Sequence, residues 1–137
     1  MSSLRYLFLF VDIGFIVYWF ITALHLIPAE FVYNDYANPI LVNWNWSFFP
    51  LDLLVSATGL YSIWLSRRKD VRWRSFALIS LVLTSTSGLQ AISYWVLAGE
   101  FDPTWWTPNL FLLVYPLFFI PRLIDDSNAE GFPLSRE

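Results

Sequence analysis

The chain has no cysteine, one histidine, one methionine and five glycines among its 137 residues. Without cysteine it has no disulfides, thiolate metal sites or cysteine nucleophiles. The glycines are scattered, so no glycine-rich phosphate loop is present. A zinc site built on the lone His25 would have to be completed by carboxylates, a weak set. A Ser-His-Asp arrangement has no elbow motif to support it. No metal, no cofactor and no catalytic residue is therefore assigned. Charge is scarce as well. Charged residues make up 14% of the chain, against about 25% in ordinary soluble domains. The net charge of −3 leaves no basic face for nucleic acid.

What the chain has is apolar and aromatic surface. It is 57% hydrophobic and 20% aromatic, with 8 Trp, 13 Phe and 7 Tyr. A soluble domain of this size cannot bury so much. Residues 13–29, 53–66, 75–99 and 103–121 contain no Asp, Glu, Lys or Arg. A membrane helix needs about 20 mostly apolar residues, and lipid leaves the backbone no hydrogen-bond partners but its own. The sequence thus predicts an all-α, integral membrane four-helix bundle. Its helices fall over 4–27, 49–65, 75–98 and 104–124, and a polar, loosely attached tail occupies 125–137. Ser47 and Pro50 suggest the start of the second helix. Thr107-Pro108 or Asp102-Pro103 starts the fourth, which Pro116 should kink and Pro121 should end or bend.

Orientation follows from the basic residues. Arg5 precedes the first span, and Arg67, Arg68, Lys69, Arg72 and Arg74 lie between the second and third. Arg122 and Arg136 lie at or after the end of the fourth. All eight fall on one side, which the positive-inside rule assigns to the cytoplasm. The expectation is a multi-pass plasma-membrane protein with both termini cytoplasmic. The first apolar stretch is too long for a signal-peptide core and no small-residue cleavage site ends it, so it reads as a retained helix.

Polar residues inside apolar spans are the functional candidates. Asp52 lies near the outer end of span two. It either caps its own helix or serves a ligand or a proton. His25, Gln90 and Tyr94 lie at similar depth, and Glu30 and Trp46 lie in the long outer loop. Together these six form a candidate ligand-binding set. The Trp and Tyr residues of that loop read as an interfacial belt or, alternatively, as a lid over a cavity. Asp12 lies deeper on span one and reads as a structural charge, pairing with Arg5 or with a hydroxyl on a neighbouring helix. Ser80, Thr84, Gly88 and Ala91 form a small-residue stripe on span three, suited to close helix packing.

The strings DIGFIVYW, TALHLIPAE and WNWSFFPLDL, followed by LISLVLTSTSGLQAISYW and TWWTPNLFLLVYP, resemble the YvaD-like family of small bacterial membrane proteins. The resemblance runs from Asp12 to about Pro121. It implies four transmembrane helices in a bacterial plasma membrane and no activity, the family being of unknown function. His25-Leu26-Ile27-Pro28, Glu30 and Asp52 also carry a looser similarity to the sterol-isomerase and sigma-2-receptor superfamily, which implies a pocket for a hydrophobic ligand.

Three functions remain open. The first is binding of a lipid or other hydrophobic molecule in an outward-facing pocket. The second is an accessory role, packing on a partner membrane protein through the small-residue stripe. The third, the least favoured, is a lipid-modifying enzyme using Asp52, Glu30 or His25. The expected partners are the bilayer itself and one hydrophobic molecule or membrane protein.

Overall fold

The computed structural model describes residues 1–131. Four helices make up nearly all of it: α1 (Ser2–Ala23), α2 (Pro39–Arg67), α3 (Trp73–Ala98) and α4 (Pro103–Gly131). A single 3₁₀ turn, Ala29–Phe31, breaks the link between α1 and α2. All four helices are long and apolar enough to cross a membrane.

The helix ends follow from local chemistry. α1 closes with a left-handed residue, His25, at φ 53°. Its N–H donates to the Thr22 carbonyl, and the Leu26 N–H donates to Ile21 at 2.9 Å. These are the paired bonds of a Schellman ending, a place usually held by glycine. Lys69 ends α2 in the same way, and Gly99 ends α3. Only the last of the three uses the residue that adopts this backbone without cost. His25→Gly should therefore hold or raise thermal stability, by up to ~1 kcal/mol, as read by tryptophan fluorescence on heating. A fall would show that the imidazole itself holds the loop.

α2 begins ten residues before the position expected at 49. Asn38 caps it, its Oδ1 accepting from the Ile40 N–H at 3.0 Å, and Pro39 occupies the first turn. Ser47 is not a cap: its hydroxyl donates to the Trp44 carbonyl within the helix. Pro50 lies in the interior of α2, and Asp52 in mid-helix. The reading of Asp52 as an N-cap is therefore corrected, because the free N–H groups it would serve are more than three turns away. α4 starts at Pro103, where the Asp102 carboxylate accepts from the Thr104 N–H at 2.8 Å. It continues through Pro108, Pro116 and Pro121 to Gly131. Pro121 does not end it, and part of the expected tail is helical; residues 132–137 lie outside the described residues.

Successive helices are antiparallel. Tyr18 meets Asn45 while Asp12 meets Ser56, and Ser87 meets Asp52 while Ser80 meets Val55. One end of the bundle thus gathers Arg5, the α2–α3 turn and Arg122, and with them every lysine and arginine among the described residues. In that turn the Arg72 guanidinium donates to Asp70 and holds its carboxyl below the usual range. An apolar cluster including Leu4, Phe8, Ile63, Ala77, Leu81 and Leu123 seals the interior at this basic end.

Packing is uneven around the bundle. α1 packs on α2, α2 on α3 and α3 on α4, whereas α1 and α4 scarcely meet along their backbones. The α3–α4 contact is the closest. Ser80, Thr84, Gly88 and Ala91 are all buried on α3. A Cβ on Gly88 would stand 2.5 Å from the Leu113 N and 2.6 Å from the Asn109 O of α4. The small-residue stripe is thus consumed within the bundle and offers no face to a partner.

Candidate functional site

Beside the loosely packed seam between α1 and α4, which Phe10 and Phe111 bridge at 6.4 Å between ring centroids, lies a cavity of about 290 Å³ in the half of the bundle away from the basic end. All four helices line it, mostly with apolar and aromatic groups such as Phe15, Phe48, Trp95 and Leu112. Gly14 and Phe111 lie at the seam itself; nothing stands within 4 Å of a Cβ built on Gly14.

Among the described residues Asp52 is the only acidic side chain in this cavity, and it is buried. Each carboxylate oxygen has one donor: Trp19 Nε1–H to Oδ2 and Ser87 O–H to Oδ1, both at 2.9 Å. The three residues come from α1, α2 and α3, so the carboxylate ties three helices together. Both donors are neutral. They orient Asp52 and satisfy part of its hydrogen-bonding capacity, and neither supplies a countercharge.

Aromatic rings close the cavity toward the far end. Tyr18 of α1 meets Trp105 of α4 at 6.3 Å between centroids, and Trp105 meets Tyr33 at 5.9 Å. Tyr33 meets Trp95 of α3 at 6.1 Å, which meets Trp44 of α2 at 5.5 Å. Tyr33, from the link between α1 and α2, is buried beneath that link. Beyond this ring lies a second chamber of about 430 Å³, which shares Tyr18, Tyr33, Asn45 and Trp105 with the first. The link between α1 and α2 lines this outer chamber and reaches the inner cavity only through Tyr33.

The structure separates the six residues expected to form one set. Asp52 lines the inner cavity, and His25 and Trp46 line the outer chamber. Glu30 is exposed on the 3₁₀ turn and lines neither. Gln90 is exposed and lies outside both chambers. At 100° per residue it sits about 120° away from Thr84 on α3, whose inward face runs through Ser80, Thr84 and Ala91. Tyr94 flanks the cavity without lining it, stacked on Trp44 at 4.1 Å. Asp52, His25 and Glu30 therefore do not converge as acid–base partners. Among the described residues, no group of three or more His, Asp and Glu could hold a metal ion.

Asp12 departs from expectation in another way. It is fully buried, and neither carboxylate oxygen has a hydrogen-bond partner. Arg5 lies about two turns away, its guanidinium 5.4 Å from the Tyr6 ring centroid. The neighbouring hydroxyl, Ser56, donates instead to the Asp12 main-chain carbonyl at 3.1 Å. The carboxylate fills the space left by the missing side chain of Gly59, where any Cβ would collide with it.

Two site residues lay outside the sequence-based set. Ser87 was legible in principle: it stands three residues after Thr84 and four before Ala91, on the same face. Trp19 carried no such signal, since a tryptophan near a membrane boundary ordinarily marks the interface.

No solved structure matches the chain, so the looser likeness to the sterol-isomerase superfamily has no structural support. The chain is 49% identical to "Uncharacterized protein YvaD" of Bacillus subtilis (strain 168) over 126 residues, covering 92% of this chain and 95% of that protein. A family described as of unknown function (DUF5360) matches residues 4–130. The chain's four apolar helices fit a small membrane protein, and with nearly the whole bundle inside that match the chain belongs to this family of unknown function.

Proposed function

We propose that the protein is a multi-pass protein of the plasma membrane that holds a lipid or other hydrophobic molecule in the cavity between its helices. Clustering of the described lysines and arginines at one end supports an orientation with both termini in the cytoplasm. The cavity then lies in the outer half of the bilayer. The observation that carries the reading is the cavity's make-up: mostly apolar walls with a few polar side chains, Asp52 the acidic one among them; the loosely packed α1–α4 seam is the route we assign to the ligand. Ligand pockets are mostly apolar with a few placed polar groups, and a molecule dissolved in the bilayer reaches this one without crossing water.

The test is native mass spectrometry of the protein purified in mild detergent, wild type beside Gly14→Phe. Gly14 lines the cavity and has open space around it, so a phenyl ring there obstructs that route without straining the helices. The expected result is a co-purifying hydrophobic species on the wild type, lost in the variant while the bundle stays folded. No bound species on the wild type, or equal retention by both, would overturn the reading in favour of an accessory subunit.

A further inference from the structure

We propose that the cavity selects a hydrophobic organic cation, with an ammonium head on Asp52 and hydrocarbon along the aromatic walls. This rests on the pocket reading above and adds the chemical class of the occupant.

The argument begins with charge. The Asp52 carboxylate is buried in mid-helix and receives only two hydrogen bonds, both from neutral donors. Among the described residues no lysine, arginine or histidine lines the cavity. Every described lysine and arginine sits at the opposite end of the bundle. The ion pair between Asp70 and Arg72 is in the α2–α3 turn, remote from the site. A buried ionised carboxylate is ordinarily matched by a positive charge, and the described residues place none in the cavity. Each Asp52 oxygen keeps further acceptor capacity once its one donor is counted.

The walls point to the same chemistry. Trp19, Trp44, Trp95 and Trp105 all line the cavity. The faces of indole rings attract cations, and they do so most strongly away from water. An anionic head would meet Asp52 with no cation to offset the repulsion. A neutral head would make hydrogen bonds but leave the charge unmatched.

Size narrows the class further. At about 290 Å³ the cavity is at the small end of ligand pockets, which run from ~300 to ~1,000 Å³. That suits a compact ammonium head with a single chain or ring, the remainder extending through the α1–α4 seam into lipid.

The experiment compares three probes of equal chain length on the protein in neutral maltoside micelles: dodecyltrimethylammonium, dodecanol and dodecanoate. Binding is read by native mass spectrometry and by thermal shift, on wild type and on Asp52→Asn. The asparagine is isosteric: its Oδ1 can accept from Trp19, while the Ser87 hydroxyl turns to accept from its Nδ2. The expected result is at least tenfold tighter binding of the cation than of the alcohol or the acid. Asp52→Asn should remove that preference and leave dodecanol unchanged. Trp44→Leu, which removes one aromatic face and leaves Asp52 and its donors in place, should weaken the cation severalfold; it decides the matter if Asp52→Asn does not fold. Equal binding of cation and alcohol to wild type, or a cation preference that survives Asp52→Asn (or, where that variant does not fold, one that Trp44→Leu leaves undiminished), would overturn the inference while the pocket reading stands. Failure of folded wild type to bind any of the three probes would overturn both.

Discussion

Gly88→Leu should leave no folded bundle to purify. α3 and α4 approach so closely at this position that a Cβ would stand 2.5 Å from a backbone nitrogen of α4 and 2.6 Å from a backbone oxygen. Those atoms belong to the helix main chain and cannot turn aside as a side-chain tip could. Even Gly88→Ala forces the two helices apart, at about 1–3 kcal/mol for overpacking of this kind. The close approach also sets the hydrogen bond from Ser85 Oγ to the Leu113 carbonyl at 2.9 Å. Separating the helices stretches that bond and opens the wall of the cavity at Asn109 and Leu112. The measurement is the yield of monodisperse protein and its unfolding temperature, with Gly14→Ala as control. Gly14 has open space around it, so its alanine variant should be at least as stable as wild type. Normal stability of Gly88→Leu would mean that α3 and α4 do not meet as described.

Asp12→Val should stabilise the protein. The Asp12 carboxylate is fully buried with no donor to either oxygen. An unsatisfied buried polar group costs about 1–3 kcal/mol, more when charged, and replacing it by an apolar group of similar shape removes that cost. The expected outcome is a rise of several degrees in the unfolding temperature. A second comparison tests the geometry. Gly59→Ala should destabilise the wild type, because its Cβ would collide with the Asp12 carboxylate. In an Asp12→Ala background the same change should be close to neutral. The non-additivity of the pair measures their contact. A destabilised Asp12→Val would show that the carboxylate does something in the folded protein beyond filling space.

The four helices were legible because charge-free runs of this length have few other solutions in lipid. The start of α2 was not. Pro50 resembles a first-turn proline, and the segment 39–48 is rich in Asn and Trp, which reads as an interfacial loop. The helix nevertheless runs through it, because Asn38 and Pro39 supply an earlier cap and the tryptophans pack on rings of neighbouring helices. Trp44 stacks on Tyr94, and Trp46 lies 5.1 Å from Trp19 between ring centroids.

The site was half legible for a related reason. A lone acid in an apolar span draws attention to Asp52. Its partners are a tryptophan and a serine, residue types that occur in membrane helices for many other reasons. Gln90 attracted attention as the more polar residue, but helix phase turns Ser87 inward. Asp12 was misread because sequence shows which partners exist, and the missing side chain of Gly59 gives it room without one.

The three prolines inside α4 bear on mechanics. Pro108, Pro116 and Pro121 each lack an N–H, so the carbonyls of Thr104, Leu112 and Leu117 lose their rungs in the helical ladder. A helix resists bending in proportion to such rungs, and α4 is missing three. It is clamped to α3 along one edge, while along the other it meets α1 through side-chain tips rather than backbone. Stiffness is thus unequally shared among the four walls: α4 is the compliant one, and the sideways pressure of the surrounding acyl chains acts on it most directly.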